Sequence, residues 1–280
     1  MSKDKIINGK YLSQTFTQKV KENLREMDQK PSLAIVLLGD DPSSHLYVKL
    51  KDRACDDCDI DFHKYLFEDN SNTNDVIATI DFLNKDPEVD GILVQLPLPE
   101  QYDTDKIISA IDYRKDIDGF HPTNREKMTK CEYTMLPPLP AGIIEMVKAT
   151  DEEIKNKKVT ILCNHKIFGD PFKCEWGKDN DVQVVTTEDE GWKTFVAAAD
   201  VLVVSVGLPF FITKDMIKED CIIIDVGINK LDDGEVVGDV NIADVAKKVK
   251  FISPVPGGVG PMTIAMLLTN LVKLKQTKSS

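Results

Sequence analysis

Val159-Thr-Ile-Leu162, Val182-Gln-Val-Val185, Val201-Leu-Val-Val204 and Cys221-Ile-Ile-Ile-Asp225 are four short apolar runs that recur at intervals of about twenty residues. Runs this short and this rich in β-branched residues read as strands buried on both faces. Each interval is long enough for a helix and its turns, which is the mark of a doubly wound, parallel nucleotide-binding sheet. The alternation continues towards the N-terminus. Ser32-Leu-Ala-Ile-Val-Leu-Leu38 is a continuous apolar run closed by the turn residues Gly39-Asp-Asp-Pro42, and Asp90-Gly-Ile-Leu-Val-Gln-Leu96 is a second, closed by Pro97 and Pro99. Helical patterns at about 12–29, 43–58 and 74–85 flank these two runs. The expected fold is therefore α/β with parallel sheets covered by helices.

The pattern breaks once, at Met135-Leu-Pro-Pro-Leu-Pro-Ala-Gly142. Prolines this dense suit neither a helix interior nor a central strand, so this stretch reads as a domain junction. Two domains are expected, 1–140 plus 262–280 and 141–261, with a closing helix at about 262–275. Gln276-Thr-Lys-Ser-Ser280 reads as a disordered end.

The chain has 280 residues, ample for two such cores, and a formal net charge of −12. There is no surplus of Lys and Arg to displace counterions from a nucleic acid, so nucleic-acid binding is not expected. The start, Met1-Ser-Lys-Asp-Lys-Ile-Ile7, has no signal-like apolar core, and no apolar run reaches membrane-spanning length. A cytoplasmic protein without membrane contact is expected. Cys55-Asp-Asp-Cys58 is a lone CxxC with no second pair, and reads as two thiols on one helix rather than a zinc site.

Four features carry chemistry. Tyr47 and Lys51 lie four apart on a predicted helix and project from one face. A lysine beside a phenol can handle protons if burial lowers its pKa, whereas a helix carrying Lys49, Lys51 and Arg53 is commonly a solvated face. Gln95 interrupts an apolar strand at its C-terminal end, where open α/β sheets hold their ligands; its amide is either a structural hydrogen-bonder or part of a site. Asp116-Ile-Asp118-Gly119 places two acids at a turn. Pro254-Val-Pro-Gly-Gly-Val-Gly-Pro261 has three glycines and three prolines in eight residues, a loop of fixed course with backbone amides open to a ligand.

Several segments occur in an order that resembles one family: Gly39-Asp-Asp-Pro-Ser-Ser44, Tyr47-Val-Lys-Leu-Lys51, Asp90 through Gln95-Leu-Pro-Leu-Pro99, Lys115-Asp-Ile-Asp-Gly-Phe-His-Pro122, Asp225-Val-Gly-Ile-Asn229, Gly238-Asp-Val240 and Pro254 to Thr263. The chain resembles the bifunctional methylenetetrahydrofolate dehydrogenase/cyclohydrolase family over nearly its whole length. The resemblance implies a tetrahydrofolate derivative as substrate, NAD or NADP as cofactor, an active site in the cleft between the domains, and a homodimer paired through the nucleotide domain. It implies that Lys51 is the catalytic lysine, that Tyr47 stacks on and orients folate, that Gln95 holds and tunes Lys51, and that Asp118 pairs with the amino edge of the pterin. Pro256, Gly257, Gly258 and Pro261 would border the folate, and Ile228 the cofactor.

The nucleotide side departs from the family. Its Gly-Arg-Ser turn, whose arginine grips the extra phosphate of NADP, aligns to Cys163-Asn164-His165. Gly169 and Pro171 keep their spacing, but the helix beyond has lost much of its apolar face, and the serine of a Cys-His-Ser segment aligns to Glu188. Asn164 removes a charge-assisted clamp and Glu188 adds a like charge to the phosphate, so NAD is favoured over NADP. The Cβ of Cys163 raises a further expectation, that dinucleotide binding is weakened or lost. The safer half of the assignment is then the cyclohydrolase, which needs no nicotinamide. Two alternatives remain open: a folate-binding protein without turnover, and an NAD-dependent dehydrogenase with little hydrolysis.

Overall fold

A computed structural model describes residues 5–278, and among them the helices and strands alternate as the hydrophobic pattern requires. In chain order the elements are α1 (Gly9–Arg25), β1 (Ser32–Leu38), α2 (Pro42–Cys58), β2 (Asp61–Phe67), α3 (Thr73–Lys85), β3 (Gly91–Val94), α4 (Thr104–Ser109), α5 (Pro122–Thr129) and α6 (Pro138–Lys148). They continue with β4 (Lys158–Cys163), α7 (Asp170–Trp176), β5 (Asp181–Val185), α8 (Trp192–Ala198), β6 (Val201–Ser205), β7 (Ile222–Asp225), β8 (Asn229–Lys230), β9 (Val236–Val237), α9 (Ile242–Val245), β10 (Phe251–Ile252) and α10 (Val259–Lys278). Two compact units result. An N-terminal unit comprises Gln14–Pro138 with Ile264–Ser280, and a C-terminal unit comprises Leu139–Thr263 with the chain up to Ser13.

The N-terminal unit is built on β1. All seven of its residues are buried, because it is the middle strand of the parallel order β2-β1-β3 and has helices on both faces. Leu33, Ile35 and Leu37 pack with Val48, Cys55 and Leu267 on one face, while Ala34, Val36 and Leu38 pack with Val76, Ile80 and Ile107 on the other. Successive side chains point to opposite faces, so one continuous apolar run serves two cores. The apolar pattern had not singled out β2. It is an edge strand of mixed polarity, and backbone pairing in register with β1, from Ser32 opposite Asp61 to Leu38 opposite Phe67, holds it. Beyond β3 the segment around Asp116 adds a short parallel rung, with Ile92 N–H donating to Lys115 O at 2.7 Å.

The C-terminal unit contains a five-stranded parallel sheet in the order β10-β7-β6-β4-β5. From β4 the chain builds outward to β5, then crosses back to β6 on the other side. The topological switch point, where open α/β sheets bind ligands, therefore lies at the C-terminal ends of β4 and β6. There Cys163 and Ser205 are register partners.

Three boundaries differ from the sequence expectation. α10 starts at Val259, so Gly260 and Pro261 form its first turn instead of ending a loop; a proline is tolerated there because first-turn N–H groups have no partner within the helix. The same helix runs through Gln276 and Thr277 to Lys278, so these residues are ordered, and Ser279 and Ser280 lie outside the described residues. α6 begins at Pro138, which puts Pro138 and Pro140 in its first turn, where proline is compatible with helix.

Candidate active site

α2 places the first two site residues. Asp41 caps it by accepting from Ser44 N–H at 2.8 Å, and this bond with the adjoining serine hydroxyl holds the Asp41 carboxyl down at about 2. The buried positions of the helix are Ser44, Val48, Lys51, Cys55 and Cys58, a repeat of three and four residues. Lys51 therefore sits on the apolar face and is only 9% exposed, while Lys49 and Arg53 point to solvent. The solvated-face reading applies to Lys49 and Arg53 but not to Lys51. Tyr47, one turn earlier, is half-buried, and burial raises its phenol pKa.

β3 delivers the partner. Gln95 follows its last residue, is 8% exposed, and accepts a hydrogen bond from Lys51 Nζ at 2.9 Å through Oε1. Its amide nitrogen donates to Leu96 O at 2.7 Å, which fixes which end of the amide faces the lysine. Burial lowers the Lys51 pKa, with the nearby Asp118 carboxylate opposing the shift. Burial conversely pushes Asp118 up to about 6, with Lys51 pulling it down and Asp116 pushing it further up. Burial thus makes the neutral amine of Lys51 easier to reach than in water, while the Asp118 carboxylate favours the charged form.

The two acids of Asp116-Ile-Asp118 have separate tasks. Asp116 is buried and accepts from Gly119 N–H (3.1 Å), His121 N–H (2.8 Å) and Asn124 Nδ2 (2.9 Å), so it builds the turn. Asp118 is half-buried and is the one electrostatically coupled to Lys51. Lys51, Gln95, Asp118 and Tyr47 all belong to the N-terminal unit. An ionised Asp118 accepts parallel N–H bonds and a protonated one does not. Folate KM is accordingly expected to rise as pH falls through about 6, and Asp118→Asn to flatten that acid limb; a limb unmoved in this variant would remove Asp118 from the role.

The loop from Pro254 to Pro261 belongs to the C-terminal unit. Its glycines are not equivalent. Gly258 is packed inside the loop, where a Cβ would meet Pro254 O at 2.4 Å, and its own carbonyl leaves room only for a glycine at position 9. Lys10 N–H donates to Gly257 O at 2.9 Å, so the start of α1 buttresses the loop. Gly257 adopts φ +99° with open space beside it, and Gly260 is likewise open. Gly257 is thus the position where a ligand can come against backbone, and Gly258 is needed for the loop's own course.

At the switch point, the Cys163 side chain turns inward. The residue is 2% exposed and its Sγ lies 3.4 Å from His165 O, so the thiol packs against the chain and not into solvent. Asn164 donates from Nδ2 to Val206 O at 3.0 Å, tying the end of β4 to that of β6. His165 is exposed and makes no side-chain cap bond. Lys166 pairs with Asp189 at 2.7 Å, and Asp189 also receives Thr186 N–H at 2.7 Å. Glu188 is exposed beside them, and Ile228 is 54% exposed after β7. Gly169 remains a packing glycine, since a Cβ there would meet the Val184 side chain at 2.2 Å.

Sequence reading gave no role to a pair of buried acids behind this edge. Asp239 accepts from Val206 N–H (2.7 Å), Gly207 N–H (3.0 Å) and Leu208 N–H (2.9 Å), and from Asn229 Nδ2 (2.9 Å). Asp225 accepts from Gly227, Asp239 and Val240 N–H groups at 2.9–3.0 Å, and burial pushes its carboxyl up to about 7. The two acids interlock through glycines: a Cβ at Gly227 would meet Asp239 and one at Gly238 would meet Asp225. Asp-Val-Gly and Gly-Asp-Val are therefore two halves of one clasp that fixes the loops after β6 and β7. The signal was visible as two Asp/Gly pairs outside any short turn, but their pairing needs the fold.

Residues 7–118 match the family model described as tetrahydrofolate dehydrogenase/cyclohydrolase, catalytic domain, and residues 137–279 the one described as its NAD(P)-binding domain. The chain belongs to the tetrahydrofolate dehydrogenase/cyclohydrolase family. A bifunctional protein FolD from Nautilia profundicola is 40% identical over 275 residues, covering 96% of each chain. The crystal structure of the bifunctional enzyme FolD, methylenetetrahydrofolate dehydrogenase/cyclohydrolase, from Campylobacter jejuni superposes with a TM-score of 0.92 at 38% identity, covering 98% of this chain and 99% of that one. A Trypanosoma brucei FolD structure, complexed with NADP cofactor and inhibitor, superposes at 0.90 with 28% identity over 98% of each chain. The family's two-domain α/β plan is thus the fold of this chain. The NAD(P)-binding domain extends over the divergent Cys163-Asn164-His165 turn, so that turn does not remove the chain from the nucleotide-binding fold. The inward Cys163 and open Gly207 fit a bound dinucleotide.

Proposed function

We propose that this chain interconverts methylene-, methenyl- and formyl-tetrahydrofolate, with Lys51 as the proton-handling group of both steps. The observation that carries this reading is the buried Lys51–Gln95 bond beside Asp118. In hydrolysis, water adds to the carbon of the methenyl bridge and the neutral amine of Lys51 takes its proton. The bond from that carbon to one nitrogen then breaks as the same amine returns the proton to this nitrogen, and the remaining hydroxyl gives its proton to solvent, which leaves a formyl group on the other nitrogen. Gln95 Oε1 fixes the amine's direction, Asp118 holds the amino edge of the pterin, and Tyr47 offers its ring for stacking. Bound NAD(P)⁺ supplies the hydride acceptor for the dehydrogenase step, and Cys163, Asn164, His165, Glu188 and Ile228 would border it. Pro256, Gly257, Gly258 and Pro261 supply the course of the loop on the folate side. The four charged and polar groups in place argue against a folate binder without turnover. Steady-state assay of methenyl-tetrahydrofolate hydrolysis tests the reading, and native protein without turnover would overturn it.

Within this function we assign NAD over NADP. Asn164 is engaged with Val206 O, Lys166 is neutralised by Asp189, and Glu188 stands free. Asn164 and Lys166 are thus not free to grip a 2′-phosphate, and the Glu188 carboxylate opposes it. NAD is expected to bind about tenfold or more tightly than NADP in a calorimetric titration; a clear NADP preference would defeat the assignment. A cytoplasmic homodimer paired through the C-terminal unit completes the proposal. Among the described residues the outer edge of β5 has no strand partner, and sedimentation velocity reads the oligomeric state directly. Among the described residues no helix is long and apolar enough to cross a membrane.

A further inference from the structure

A cavity of about 660 Å³ lies within the N-terminal unit, between the end of α3, α5, the segment 133–137 and the last turns of α10. Its volume is in the range of small-molecule sites. Lys51, Gln95 and Asp118 do not line it, but Asp116, Ile117 and Gly119 do, so it backs onto the segment that carries Asp118. Met128, Leu136 and Leu274 give it apolar walls, and Tyr113 contributes a ring.

The charges around it do not cancel. Its three carboxylates are all engaged: Asp112 with Arg114, Asp116 with the turn it builds, and Asp86 with Glu88 N–H. Lys115 is consumed by Leu83 O and Asp86 O. Lys85, Lys127 and Lys273 remain, and among the described residues none of them forms an ion pair; Lys127 instead lies 4.6 Å over the Tyr113 ring. Three lysines from three separate helices thus border one cavity in a chain of net charge −12. Like charges held together without counter-ions repel, and a bound anion relieves that repulsion.

We propose that this cavity is a second ligand site, and that it takes an aromatic or apolar molecule bearing two or more negative charges. The walls take the body, the Tyr113 ring borders it, and Lys85, Lys127 and Lys273 hold the anionic groups.

Calorimetric titration with pyrene-1,3,6-trisulfonate tests this on the whole chain, with inorganic phosphate and neutral pyrenemethanol as comparisons. The triple variant Lys85→Gln, Lys127→Gln, Lys273→Gln changes only side chains outside the catalytic residues. The expected result is one equivalent of trisulfonate whose affinity falls at least tenfold in the variant, with methenyl-tetrahydrofolate hydrolysis unchanged. Phosphate and pyrenemethanol should each bind at least tenfold more weakly. Equal trisulfonate affinity in the variant, equal binding of the neutral pyrene, or no binding to the native chain would each overturn the proposal.

Discussion

Exchanging Lys51 for methionine is expected to lower methenyl-tetrahydrofolate hydrolysis by about 10²- to 10⁴-fold, the range lost when a positioned general acid–base is removed. Methionine matches the lysine in length and is apolar, so the buried face that Lys51 shares with Val48 and Cys55 stays filled. The fold should therefore survive and the loss should lie in kcat. The variant has a second effect. Lys51 pulls the Asp118 carboxyl down towards about 6, so without it Asp118 titrates higher and the acid limb of folate binding moves up in pH. Lys51→Arg separates the two roles. Arginine keeps the positive charge and thus the Asp118 limb, but it does not release a proton near neutral pH, so turnover should be lost as in the methionine variant. Ordinary hydrolysis in Lys51→Met would end the role proposed for this residue.

The second large effect is expected at Asp239. This carboxylate is fully buried and receives four N–H groups, three of them from the consecutive backbone positions 206–208. Hydrogen bonds to a charged group are each worth about 1.5–3 kcal/mol, though the exposed amides of Gly207 and Leu208 can be rehydrated once freed. Asp239→Ala should then destabilise the C-terminal unit by about 3–5 kcal/mol, read as a lowered denaturant midpoint. NAD binding should fall with it, because the loop after β6 at the switch point loses its anchor. Hydrolysis at low temperature should persist, since its proton-handling residues belong to the N-terminal unit and need no nicotinamide. A variant with native stability and native NAD affinity would show that the clasp is dispensable.

The strands from Ser32 to Asp225 were legible because a parallel sheet covered on both faces demands unbroken apolar runs, and β1, β4, β6 and β7 supply them. Two edge pieces were not. β2 alternates poorly, and β10 is two residues long; both are held by backbone pairing to a stronger neighbour, which composition does not encode. Among the site residues, Gln95 was legible as a polar group inside an apolar strand; burial of Lys51 was not, because a helix carrying Lys49, Lys51 and Arg53 also reads as a solvated face until packing puts Lys51 in register with Val48 and Cys55.

The local chemistry of the Tyr47–Lys51 face, the strand end at Gln95 and the glycine-rich loop at 254–261 is written in the sequence, because residue type and spacing fix which face and which turn each occupies. Residue type and spacing could not separate Asp116, which builds a turn, from Asp118, which couples to Lys51. Nor could they say that Cys163 points inward, or that Asp225 and Asp239 clasp each other through Gly227 and Gly238. These depend on burial and on partners 14 to 67 residues away, and only the folded chain brings such groups to within hydrogen-bonding or electrostatic range.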